Sequence, residues 1–122
     1  MGIIIEFFAV PATPLPLDTD EQRMELIQTL GKPIGTISVN SNAVAAAFTL
    51  LLQTDLAGLA GDGADSRRTV FVPASRYLAL TAQVAAWAVS ASDPLRLDLA
   101  FAITEAITDA QWSGDDLAVQ ST

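Results

Sequence analysis

The chain contains neither histidine nor cysteine. Without histidine there is no conventional Ser–His–Asp triad, no imidazole base and no imidazole metal ligand. Without cysteine, disulfides, thiolate nucleophiles, iron–sulfur clusters and thiolate zinc sites are excluded together. The same absence fits a reducing cytosol, and a cytoplasmic location is the expectation. Positive charge is scarce as well: Lys32 and five arginines are the only basic residues. Nucleic-acid binding needs clustered cations to displace counterions from phosphates, and the only adjacent pair is Arg67-Arg68. An anionic membrane surface is disfavoured on the same ground.

Charged residues of either sign make up 16% of the chain, against roughly 25% in an average soluble domain. Hydrophobic residues reach 51%. A small domain so composed has little polar surface with which to cover itself, which points to burial against another subunit or partner. The net charge of −8 would steer a basic partner at long range. At 122 residues the chain has the size of one domain and is long enough to bury a core without staples. Two stretches carry no charge, Pro33–Thr54 and Tyr77–Ser92. The first holds Pro33, Gly35 and Asn40-Ser41-Asn42, and the second is too short to span a bilayer, so both read as core. Met1-Gly2 is followed by Glu6 where a myristoylation signal needs Ser or Thr. The apolar run after it is interrupted by that glutamate and has no basic flank, so it makes a poor signal peptide.

The periodicities predict one α+β domain, with about four helices packed on a small sheet of two to four strands. Ile3–Val10 is β-branched and aromatic and stops at Pro11, as a strand does. A helix then runs to Leu30, opened by a capping-box pattern at Asp18/Glu21 or Thr19/Gln22. Gly31 would supply its left-handed exit and Pro33 would prevent resumption. Thr36–Val39 reads as a short strand, and one of the polar residues 40–42 as the cap of a second helix over about Ala43–Leu59. Thr69–Val72 is a third strand, with Pro73 placed to open a helix to about Ala91. That helix is apolar almost all round, which suits a core centre or a subunit interface. After Ser92-Asp93-Pro94, two patterns compete over Leu95–Thr104: strict alternation favours a strand, and leucine and alanine content favours a helix. Asp115 begins an acidic, polar tail.

Few residue groupings could carry chemistry. The loop Gly61–Arg68 places Asp62 and Asp65 near glycines, with Arg67 and Arg68 following. The carboxylates lack the alternating oxygen ligands and distant glutamate of a calcium loop. The arginines lack the helix start of a phosphate loop. The ordinary reading is a solvated turn; as a weak ligand site these four residues would line a carboxylate and arginine pocket. Lys32, between Gly31 and Pro33 at a helix exit, complements the helix dipole more readily than it serves as a buried base. Asp98, Glu105 and Asp109 fall on one side of a helix if the fourth long segment is helical, and there they read as an outward face. The large amphipathic rings Tyr77, Trp87 and Trp112, together with Val89, are the candidate interface residues.

No catalytic residue, metal ligand or cofactor is predicted. The leading expectation is a noncatalytic protein-binding or assembly module, self-associating as a homodimer or acting as an acidic antagonist of a basic protein. The alternative is a small enzyme or ligand-binding protein built on the pocket of Asp62, Asp65, Arg67 and Arg68.

Overall fold

A computed structural model describes residues 3–11, 20–53 and 69–121. Along the chain run β1 (Ile3–Val10), α1 (Asp20–Leu30), β2 (Lys32–Val39), α2 (Asn42–Gln53), β3 (Thr69–Val72), α3 (Tyr77–Val89), α4 (Pro94–Ser113) and β4 (Asp116–Ser121). The strands form one sheet in the order β2-β1-β4-β3, antiparallel throughout. Among the described residues, four α-helices on a four-stranded sheet make a single compact α+β domain.

Strand alternation divides the sheet into two faces. Ile5, Phe7 and Ala9 of β1 lie on the same face as Val39 of β2, Leu117 and Val119 of β4, and Val70 and Val72 of β3. All are buried, and they share one core with Phe48 and Leu52 of α2, Leu80 and Val84 of α3, and Leu99 and Ile103 of α4. The opposite face has a smaller cluster, in which Ile27 of α1 closes over Val10 and Ala118 with Phe8 and Phe71 at its margin. Fully burying a Leu, Ile or Phe side chain contributes about 1.5–3 kcal/mol, so the three-helix face holds most of the hydrophobic stabilisation.

The helix starts follow from capping. Ser41 accepts from the backbone N–H of Val44 at 3.2 Å and opens α2. Asp93 accepts from the N–H of Leu95 at 3.0 Å, and Pro94 occupies the first helical position of α4. The helix favoured by leucine and alanine content is the one formed over Leu95–Thr104, and the strand alternative falls away. Leu99 and Ile103 face the core while Leu97 and Phe101 of the same alternating set are exposed.

Other expectations are corrected. The predicted polar tail is β4, a central strand paired on both edges, with Leu117, Ala118 and Val119 buried. Its start is set by Gly114, whose φ of 70° ends α4 with hydrogen bonds from Gly114 N to Gln111 O and from Asp115 N to Ala110 O. Gly31 is not left-handed, because Gly114 is the one positive-φ residue among those described. It is required for close approach instead: a Cβ there would sit 2.5 Å from the carbonyl oxygen of Ile27. The helix does not resume past Pro33, but the second strand starts earlier than the predicted Thr36. Strand β2 begins at Lys32 and includes the proline, as an edge strand can, and the register shifts beside it between Phe7 and Phe8. Pro73 precedes a short 3₁₀ turn, Ala74–Arg76, before α3 begins at Tyr77. The capping residues Asp18 and Thr19 and the predicted end of the second helix at Leu59 lie outside the described residues.

Candidate functional site

Asp62, Asp65, Arg67 and Arg68 lie outside the described residues. Among the described residues no three acidic side chains converge as a metal site would require, and no helix is long and apolar enough to cross a membrane. Lys32 is an exposed residue at the start of β2.

Among the described residues, the four most exposed large apolar side chains, Leu78, Val89, Phe101 and Trp112, lie on α3 and α4. These helices pack against each other with only a short turn between them. The hydroxyl of Tyr77, at the start of α3, donates to the carbonyl of Asp115 just past the end of α4, at 2.8 Å. At the other end, Arg96 near the start of α4 donates to the carbonyl of Trp87 at 3.1 Å and to the hydroxyl of Ser90 at 2.9 Å. The pair is thus antiparallel and stapled at both ends.

Those staples account for two of the four candidate interface residues. Tyr77 is 1% exposed, so its ring belongs to the core. Burial raises the pKa of its phenol, and the carboxylates of Asp116 and Asp115 raise it further. Trp87 is half-buried, with the guanidinium carbon of Arg96 4.8 Å from its ring centroid and the Phe48 ring 6.0 Å away at 42°. That cation–π contact fixes the turn between the helices. The other two candidates face outward: Val89 is 77% exposed and Trp112 is 87% exposed.

Trp112 is not isolated. Leu97, Phe101, Thr108 and Trp112 are spaced four, seven and four residues apart, which sets them in one row along α4. Phe101 is 71% exposed. The Thr108 hydroxyl donates back to the Thr104 carbonyl at 3.0 Å, and Thr104 to Ala100 at 2.7 Å. Hydroxyls satisfied on their own helix make the row less polar than its sequence reads. Asp98, Glu105 and Asp109, all exposed, flank it on one side by helical spacing. A second row, Leu78, Ala82, Ala85 and Val89, runs along α3, with Leu78 88% exposed. Sequence reasoning missed Leu78, Leu97 and Phe101. The signal was there in the alternating leucines of α4, which supply more apolar side chains than one buried helix face accommodates.

Comparison with family models, curated proteins and solved structures finds no match to this chain.

Proposed function

We propose that the protein is a noncatalytic protein-binding module whose outer α4 surface receives a basic, apolar-faced segment of another protein. The observation that carries the reading is the Leu97–Phe101–Trp112 row with Asp98, Glu105 and Asp109 along its side. Large exposed aromatic side chains are the residues that anchor interfaces when they are desolvated in a partner's pocket. A carboxylate border would orient a cationic partner and speed its encounter, in keeping with the net charge of −8. A role as antagonist of a basic protein belongs to this reading, and self-association through α3 is a second form of it.

The test is affinity capture from the producing cell with three baits: wild type, Phe101→Ser with Trp112→Ser, and Asp98→Asn with Glu105→Gln and Asp109→Asn. The reading expects a stoichiometric, basic protein on wild type that is lost from the aromatic variant. It should also be weakened on the neutralised variant and eluted by salt. A partner retained equally by all three baits, or none on wild type, contradicts it.

A further inference from the structure

We infer that the exposed row of α3 is a twofold self-association surface, on which a second copy of this chain lays its own α3 antiparallel. The inference rests on the reading of the outer helices as a protein-binding layer, but it uses a different face from the one offered to a basic partner. Leu78, Ala82, Ala85 and Val89 are spaced four, three and four residues apart, the interval of a helix–helix seam. That spacing is the same read in either direction. About a twofold axis at the level of Gln83 and Val84, Leu78 opposes the partner subunit's Val89, and Ala82 opposes the partner subunit's Ala85. Large residues meet at the two ends, and small ones meet at the centre, where the backbones must come closest. All four side chains are exposed within one copy.

Charge selects the second copy over a charged partner. From Tyr77 to Ser92 there is no charged residue, so α3 itself brings no carboxylate to a contact between two chains of net charge −8. A basic partner gains nothing there, whereas the acidic border of α4 would repel a second copy. Closed twofold dimers are the commonest symmetric assembly, and they require this kind of self-complementary surface. The contact is short. From Leu78 to Val89 the helix rises about 16 Å, so a single helix pair of that length makes the contact and association should be reversible and concentration-dependent.

Sedimentation equilibrium of the intact chain over a wide concentration range should show a monomer–dimer equilibrium. Added salt should leave it unchanged or strengthen it, because only repulsion between the acidic copies is screened. Ala82→Glu with Ala85→Glu alters exposed positions only and should weaken self-association at least about tenfold, with the helical circular dichroism of wild type. Ala82→Lys with Ala85→Lys should do the same, and an equimolar mixture of the two variants should dimerise again. Orientation is read from disulfides, which the cysteine-free chain allows without interference. Leu78→Cys mixed with Val89→Cys should cross-link on oxidation, while neither should do so alone, its two copies lying about 16 Å apart along the helix pair. A wild type that is monomeric at every concentration overturns the inference, as do disulfides formed by Leu78→Cys alone. If a monomeric wild type still retains its basic partner through α4, only the dimer is refuted; loss of both would refute the protein-binding reading itself.

Discussion

Substituting Tyr77→Phe removes one hydroxyl from the junction that directs the chain from α4 into the centre of the sheet. The ring is buried, and its hydroxyl donates to the carbonyl of Asp115, between the left-handed Gly114 and the first residue of β4. The replacement keeps the packing and leaves that carbonyl without its donor. A lost hydrogen bond with one partly buried acceptor stranded costs about 1–2 kcal/mol, so the urea midpoint should fall with an unchanged slope. The pH dependence is sharper. The folded phenol has a raised pKa, whereas the unfolded tyrosine ionises near roughly 10. The folded state therefore holds its proton where the unfolded state has released it. This stabilisation is fully present below the unfolded value and declines above it, by up to about 1.4 kcal/mol per pH unit. The penalty of Tyr77→Phe should consequently shrink and then vanish as the pH climbs beyond about 10. Because this is the only tyrosine in the chain, phenolate absorbance reports on it alone. Phenolate appearing at the pH of free tyrosine while circular dichroism remains native would refute the reasoning, as would a penalty independent of pH.

Ile103→Ala, in the fully buried stripe of α4, should cost about 2–5 kcal/mol in denaturant unfolding through lost burial and a cavity. Gly31→Ala forces its new methyl onto the Ile27 carbonyl and should destabilise despite the better helix propensity of alanine, with overpacking of this kind costing about 1–3 kcal/mol. Phe101→Ser with Trp112→Ser should by contrast stay within about 0.5 kcal/mol per site of wild type, since neither ring supports the monomer; a large loss would show that the row is structural. A labelled oligonucleotide should not be retained at physiological salt, and tight, salt-sensitive retention would contradict the charge argument.

Much of the fold could be read from local pattern. Ile3–Val10 and Thr69–Val72 have the predicted bounds because β-branched runs closed by proline leave little choice of conformation. The fold class followed from the mixture of two periods. β4 escaped because its apolar content is three residues, Leu117-Ala118-Val119, set among polar ones. Its strand character comes from two neighbours distant in sequence, β1 and β3, rather than from its own propensity. The early start of β2 escaped for a related reason: a proline that stops a helix is tolerated on a sheet edge. The candidate surface was half legible. Val89 and Trp112 are exposed, whereas Tyr77 and Trp87 are held by Asp115 and Arg96, contacts between elements that no local pattern displays. Phe101 and Leu97 were hidden by the helix–strand ambiguity, since only a helical α4 separates them from Leu99 and Ile103.

The most direct test of the central claim, that the outer surface of α4 binds a protein, is site-specific photo-cross-linking in the producing cell. A photoreactive amino acid replaces Trp112 on the exposed row or, as control, Gln28, exposed on α1 across the sheet. The expected result is a discrete adduct with a basic protein from position 112 and none from position 28. No adduct at position 112, or the same adducts from both positions, would contradict the claim.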